Sequence, residues 1–559
     1  MDTEERFKKL IAFLIALITT LIAILSFLQS DAGARDAAAN RDTKRYSLEA
    51  FGRQVSGDAR VNYDYNKAYQ GYYELDLLAN AAEAVGDEAA MNRYRTLRDS
   101  MTELSPLLAP PYYNPDTDAE PNIAKYEADT YVVETTALQE RFTAASAVKD
   151  AWDSKANTYI LHLTMLAVAL FLYGLSTTVS NTSTRWIFTI AGSGVAIFAT
   201  GWALVTFLKP VPDLRACKTA DGTFAIDAYA QGVGLAYQNL HSEAIGSFDK
   251  ALSCASNYAN AYAARGESNV SLGNYEAATA DYEKARANGD ATGNSAGELA
   301  WIYYLLGRFD DAAAMNRTAL TAAPGELWIQ FDLGLSLLGA NKIDEARAEY
   351  KTGMDLAAQQ VAAAKAAGAE PPSYLWWGLD DAAGSLDDLR NTIESGEGQP
   401  APGALASPEV IKAAAAELSA QLKSLSVALE YTGQPPQGAL TATISEFTFQ
   451  QPIYDDRGNI EDYVADDTFP FGTDEIGVQF DYAAMEDGQD IVFKVYVNGE
   501  EDPAWRIIEQ WSLGSSGTAE IPISLAYSNT QVLTPGEYTV ELYVNSNLAM
   551  SGNFVIEEQ

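Results

Sequence analysis

The first clear pattern along the chain is an absence of charge. Positions 10–28 carry no Asp, Glu, Lys or Arg, directly after Lys8 and Lys9. At about 1.5 Å of rise per residue, such a run crosses the hydrocarbon core of a bilayer. A cleaved signal peptide has an apolar stretch of only roughly 7–15 residues, so a retained transmembrane signal anchor is expected over 1–30. Two further apolar runs, 159–176 and 186–208, are joined by a short polar link and predict an antiparallel hairpin of spans within 159–210. Gly192, Ala196 and Thr200, four apart, offer a small-residue face for close helix approach. His162 falls inside the second run with no acidic partner in any span, which suits a neutral packing residue. Between the spans, 31–158 reads as a helical membrane-proximal domain, broken by Pro106, Pro110, Pro111, Pro115 and Pro121. Tyr63, Tyr65, Tyr69, Tyr72 and Tyr73 cluster there and are expected to pack between helices.

After the third run a repeat begins. Ala244, Ala278, Ala312 and Ala346 stand 34 residues apart. Gly232, Gly266, Ala300 and Gly334 keep the same period, as do Ala251, Ala285, Ala319 and Gly353. Phe248, Tyr282 and Tyr350 share a further position, where the third unit has Asn316. Small residues at these places let paired helices pack closely, and the aromatic fills the gap. Four registers in phase resemble the tetratricopeptide repeat (TPR). The second unit, with Tyr262, Gly266, Leu272, Gly273, Tyr275, Ala278, Tyr282 and Ala285, is most similar. The first and fourth depart from the pattern, having Gln238-Asn239 and Ala340-Asn341 where Leu-Gly is expected.

The resemblance implies an α-solenoid over 222–394, with one more helix at its end, whose first helices line a concave groove. Matching of repeat positions puts Tyr229, Tyr237, Asn260, Glu267, Asn294, Trp301, Tyr304, Trp328 and Phe331 on that face. A groove of this kind implies a protein or peptide partner. Two rival expectations stand beside it. The large aromatics would pack beneath a following helix, or helices 373–394 and 407–431 of the same chain would fill the groove. Residues 395–436 read as a linker and a helix starting at Ser407-Pro408.

From about 440 the period changes to two. Strands are expected over 441–449, 476–482, 491–497, 519–525, 538–544 and 548–556, with hairpin turns at Asn498-Gly499 and Asn545-Ser546-Asn547. Pro535-Gly536-Glu537-Tyr538 opening a strand is similar to immunoglobulin-like and fibronectin-like domains, where a tyrosine ties down a corner, so 437–559 is expected to be an antiparallel β-sandwich. The fold class is thus multidomain and mainly α, with three transmembrane helices, a helical hairpin or bundle, a solenoid and a β-sandwich.

Charge and composition narrow the function. The net charge of −39 argues against nucleic acid, whose phosphates require clustered Lys and Arg. The acidic stretch with Asp455, Asp456, Asn459, Glu461, Asp462, Asp466 and Asp467 lacks the spacing of a calcium loop and reads as a solvated loop. With two histidines and two cysteines in 559 residues, His-based catalysis and zinc ligation have little to work with. No enzyme activity, cofactor or metal is expected. Cys217 and Cys254 are either a disulfide or two buried thiols.

The expectation is a membrane-tethered scaffold that binds a partner through the repeat groove. It would sit in a bacterial-type cytoplasmic membrane, its soluble domains extracytoplasmic. The alternative is a membrane sensor or transporter-associated subunit with a ligand site in 31–158, lined by the tyrosine cluster.

Overall fold

The computed structural model describes residues 3–115, 117–290, 293–436, 438–454, 460–524 and 532–558. The chain divides into two compact units, 1–290 and 291–559.

The first unit is built on one long helix, α1 (Thr3–Tyr63). Ile11, Ile18, Leu25, Ala32 and Ala39 lie seven apart and are all buried. That spacing makes a coiled-coil seam. The partner is α5 (Val133–Thr178), which runs antiparallel and contributes Ala156, Tyr159, Leu166, Ala169 and Tyr173 to the shared core. Further out the approach tightens: a Cβ on Gly57 would lie 2.2 Å from the Cβ of Tyr131. Beyond α1 a π-helical turn (Asp64–Tyr69) leads into α2 (Gln70–Ala84) and α3 (Glu88–Met101). After the proline-rich stretch come α4 (Ile123–Glu127) and a second π-helical turn (Ala128–Val132).

Tyr69 and Tyr72 join Val61, Leu107, Leu108, Tyr113 and Tyr126 in one core cluster, while Tyr63, Tyr65 and Tyr73 stay exposed. α6 (Thr182–Leu208) packs on α5 through Thr189, Gly192, Ala196, Ala199 and Ala203. The small-residue face therefore continues through Ala199, where the sequence suggested Thr200, because a helix advances 3.6 rather than four residues per turn. His162 is fully buried, its ring edge-on to Trp202 at 5.0 Å. Among the described residues, three helices, carrying the runs named above, are long and apolar enough to cross a membrane.

Four helix pairs follow at the expected period. Two lie in the first unit, α7 (Ala225–Ala236) with α8 (His241–Cys254) and α9 (Ala259–Ser271) with α10 (Tyr275–Ala287). Two lie in the second, α11 (Gly293–Leu305) with α12 (Phe309–Ala322) and α13 (Leu327–Gly339) with α14 (Ile343–Ala366). Ala244, Ala278, Ala312 and Ala346 occupy the same place, the fourth residue of each second helix, and each is 0% exposed. The reason for glycine in the first helices is steric. A Cβ on Gly232 would lie 2.5 Å from the Phe248 ring, on Gly266 3.0 Å from Tyr282, and on Gly334 2.7 Å from Tyr350. Gly273 and Gly307 turn between paired helices with φ of 72° and 70°. The divergent first and fourth units keep the same turn, because Asn239 and Asn341 take φ of 59° and 60°. Asparagine tolerates this left-handed region better than other non-glycine residues.

In the second unit, α15 (Ser373–Ser395) and α16 (Pro408–Tyr431) pair with each other and pack on α13 and α14. Ser407 stands before α16, but its side chain makes no capping bond. The β-rich region has two sheets. One joins β1 (Thr443–Ile444), β5 (Glu475–Ala483), β2 (Thr448–Tyr454) and β3 (Ile460–Ala465), with β9 (Ser516–Ser524) on the other side of β5. The other runs β4 (Thr468–Phe469), β11 (Asn547–Ile556), β10 (Gly536–Val544), β6 (Asp490–Val497), β7 (Glu500–Glu501), with β8 (Ile507–Gln510) also on β6. One core draws on both, including Phe449, Val478 and Ile523 from the first and Val495, Tyr538 and Phe554 from the second.

The expected acidic loop is in part a strand. Ile460–Ala465 pairs with β2, every residue exposed, so a fully solvated edge gave no hydrophobic alternation to read. Asp455, Asp456 and Asn459 lie outside the described residues. The 441–449 strand is split between β1 and β2, and β8 had no counterpart in the sequence reading.

Candidate functional site

In the first unit the groove positions face a helix of the same unit. α5 lies against α7, where Val133 sits so close that a Cβ on Gly234 would meet it at 2.4 Å. Arg141 pairs with Asp227 at 2.5 Å. Glu140, nearly buried, accepts hydrogen bonds from the Tyr258 hydroxyl and the Asn260 amide, both at 2.8 Å. Burial raises the Glu140 pKa against the pull of these two donors. Tyr237 donates its hydroxyl to Glu127. Tyr229 is half-buried between Phe248 and Tyr258, at ring distances of 5.8 and 5.1 Å. Burial, then the Glu140 charge, push its hydroxyl pKa up. Glu267 is exposed. Three of the four residues thus contact neighbours within the unit rather than lining an empty channel. Sequence could not give this, because nothing in 133–141 marks it as the segment that docks on the repeats.

In the second unit Asn294 is exposed and Trp301 is half-buried, stacked on Tyr304 at 5.3 Å. Tyr304 is only 3% exposed. Trp328 lies over Gly297, where a Cβ would fall 2.3 Å from its ring. Phe331 is 2% exposed, packed on Gly353 and stacked with Tyr350 at 5.7 Å. Trp328 and Phe331 therefore act as packing between helices, the first of the rival expectations. The second also has substance, since α15 lies against α13. Asn294 stays exposed and Trp301 and Trp328 half-buried, as is the acidic residue of α13, Asp332, which lies near Tyr304. Burial, then the charges of Asp381 and Glu298, push Asp332 up to about 8.

A cavity of about 600 Å³ opens between the α15–α16 pair and the sheet of β6 and β10, lined in part by Trp376, Asp380, Lys423, Lys494, Tyr496 and Glu541. Lys494 is held by Glu430 at 3.3 Å and Glu501 at 3.1 Å. Lys423 is held by Glu541 at 2.7 Å and Asp387 at 3.1 Å. Ser424 accepts the Leu548 amide at 2.9 Å, and Val427 packs with Val492 and Tyr543. These ties make α16 part of the β-rich region's support. Expecting 395–436 to be a linker and helix missed this role.

Cys217 and Cys254 are joined as a disulfide, with Cα atoms 6.0 Å apart. It ties the segment before α7 to the end of α8.

No family model matches the chain, and no curated protein matches it. Among solved structures it is similar to YrrB, described as a TPR protein with an unusual peptide-binding site. The identity is 21% over 31% of this chain and 91% of that one, with a TM-score of 0.23. It is also similar to MamA protein, at 20% identity over 34% of this chain and 91% of that one, TM-score 0.24. A MamA chain from Desulfovibrio magneticus RS-1 matches at 16% identity over 34% and 94%, TM-score 0.23. Likeness at this level covers about a third of the chain and carries no functional argument.

Proposed function

We propose that this protein is a membrane-tethered scaffold that holds a partner protein or peptide at its repeat region. The observation that carries the reading is the set of four helix pairs in a strict 34-residue register, with Ala244, Ala278, Ala312 and Ala346 at equivalent buried positions. Helix pairs of this kind present surface, and repeats built from them use that surface for binding. In this reading the three apolar helices are spans, the α1–α5 pair is a stalk, and the region from about 440 is an immunoglobulin-like β-sandwich that spaces or makes a second contact. The Tyr538 hydroxyl donating to the Thr534 carbonyl at 2.8 Å supports that last assignment. The joined cysteines support an oxidising compartment, hence soluble domains outside the cytoplasm.

The sensor reading requires a cavity within the tyrosine cluster of 31–158. A pocket of about 280 Å³ does lie there, lined in part by Asn62, Tyr65, Asn66 and Glu127, but Tyr69 and Tyr72 are packed into the neighbouring core rather than lining it, and this favours the scaffold.

The test is photo-crosslinking in living cells from a benzophenone amino acid placed at Asn294, with Arg317 on α12 as control. The scaffold reading expects a discrete protein adduct from 294 and none from 317. Adducts absent from both positions, or identical at both, would overturn it.

A further inference from the structure

Asp332 is the single charged residue of α13, and among the described residues no cation pairs with it. The groups that face it are acidic or phenolic. They are Glu298 and Tyr304 on α11, Tyr350 on α14 and Asp381 on α15, with Asp388 of α15 next in line beside Asp381 and Tyr304. Asp381 and Asp388 are exposed, likewise without an ion pair. The nearby cations are engaged elsewhere, Lys423 with Asp387 and Glu541 and Arg347 with Glu417 and Asp344. A carboxylate drawn out of water without a partner is costly. A second observation concerns Tyr350. It is 0% exposed, its hydroxyl has no hydrogen-bond partner, and its electrostatic neighbours are Tyr304, Asp332 and Asp381. Beside this acidic corner the Trp301 and Tyr304 rings stack, with Trp301 half-buried and open to solvent.

We propose that this corner receives the cationic side chain of a peptide partner, a lysine or arginine. The charge sits between Asp332 and the Asp381–Asp388 pair, the Tyr350 hydroxyl supplies an acceptor at the floor, and the methylenes lie on the Trp301 ring. Charge complementarity selects the occupant: an acidic ligand would be repelled by Asp381 and Asp388, and an uncharged one would leave the acidic corner without a counter-charge. Aromatic rings beside carboxylates suit an alkylammonium or guanidinium, which gains both an ion pair and a cation–π contact. Among the described residues no three side chains converge as metal ligands, so a divalent ion is the weaker fit. The proposal rests on the scaffold reading and specifies its partner.

Asp332 holds a proton at neutral pH, because burial and its neighbours push it up to about 8. A cation arriving there displaces that proton, so binding releases protons and tightens as pH rises from about 6 to 8.

The experiment is calorimetry on the full chain in nanodiscs. The probes are a capped tri-lysine peptide, its tri-norleucine counterpart and spermidine, in phosphate and in Tris. The expected result is binding of the lysine peptide alone, with proton release read from the difference between buffers. Asp332→Asn is expected to weaken binding about tenfold and abolish the buffer difference. Asp466→Asn, on the exposed acidic surface, should leave both unchanged. Asn matches the protonated carboxyl in size and should fold, which its melting curve checks. Equal binding of the lysine and norleucine peptides overturns the proposal, as does an equal loss in both variants, which marks diffuse attraction to an acidic chain. Preferential binding of spermidine assigns the corner to a free amine and overturns the peptide reading. If the crosslink from position 294 persists while lysine selectivity is absent, the cation proposal fails and the scaffold stands. Loss of every adduct fails the scaffold itself.

Discussion

The Tyr258 hydroxyl donates to the Glu140 carboxylate at 2.8 Å, linking the second helix pair to the long helix α5 that also carries an apolar run. Through this bond and the one from Asn260, a single residue of the stalk satisfies two polar groups of the repeats. Removing the carboxylate strands a buried hydroxyl, which costs about 1–3 kcal/mol. Glu140→Ala should therefore lower stability by roughly that amount. Glu140→Gln, which keeps an acceptor, should lose less. Thermal melting of the two variants at pH 7 checks the order.

The register of small residues makes a steric forecast. Gly334→Ala places a methyl 2.7 Å from the Tyr350 ring, and Gly232→Ala one 2.5 Å from Phe248. Overpacking of this kind costs about 1–3 kcal/mol, offset by up to about 1 kcal/mol of helix propensity. Gly246→Ala on α8 meets nothing within 4 Å and should stabilise by about 0.5–1 kcal/mol. Denaturant melts of the three variants should show opposite signs for the first two and the third.

The acidic corner and Glu140 share a pH signature. Both carboxyls have folded-state pKa values raised above the unfolded ones, so the folded chain binds more protons as pH climbs through that window. Stability then falls with rising pH, for Asp332 between about 4 and 8. Asp332→Asn should therefore melt at nearly the wild-type temperature at pH 4 and above it at pH 8. A melting series across that range reads the divergence.

Closing a loop of 37 residues, the Cys217–Cys254 disulfide should contribute about 4 kcal/mol on a chain-entropy basis. Reduction, or Cys217→Ser with Cys254→Ser, should lower the melting temperature of the repeat region. Identical melts of the oxidised and reduced chain would contradict this.

Periodicity carried most of the architecture. The 34-residue ladder of alanines was visible because packing imposes spacing on the elements themselves, whereas the seven-residue seam of Ile11, Ile18 and Leu25 lay unread inside an apolar run. Asn239 and Asn341 looked like departures from Leu-Gly, yet they adopt the same left-handed turn. What stayed hidden was contact between distant elements. Glu140 meeting Tyr258, Val133 seated at Gly234 and α16 braced on the second sheet leave no periodic trace. Strand β3 escaped because both its faces are wet. Of the groove residues, matching of repeat positions named Trp301 and Tyr304, and the structure stacks them on each other near the acidic corner. That matching missed Asp332, whose lone carboxylate in the apolar run of α13 was the available signal.

The centre of the account is a repeat face displayed from a membrane anchor on the oxidising side. The most direct measurement uses the two native cysteines being joined, so that Asn294→Cys adds the only free thiol. Intact cells treated with a membrane-impermeant maleimide should label position 294 on a chain that stays with the membrane fraction. Labelling that appears only after lysis, or a chain released from membranes by carbonate, would contradict the account.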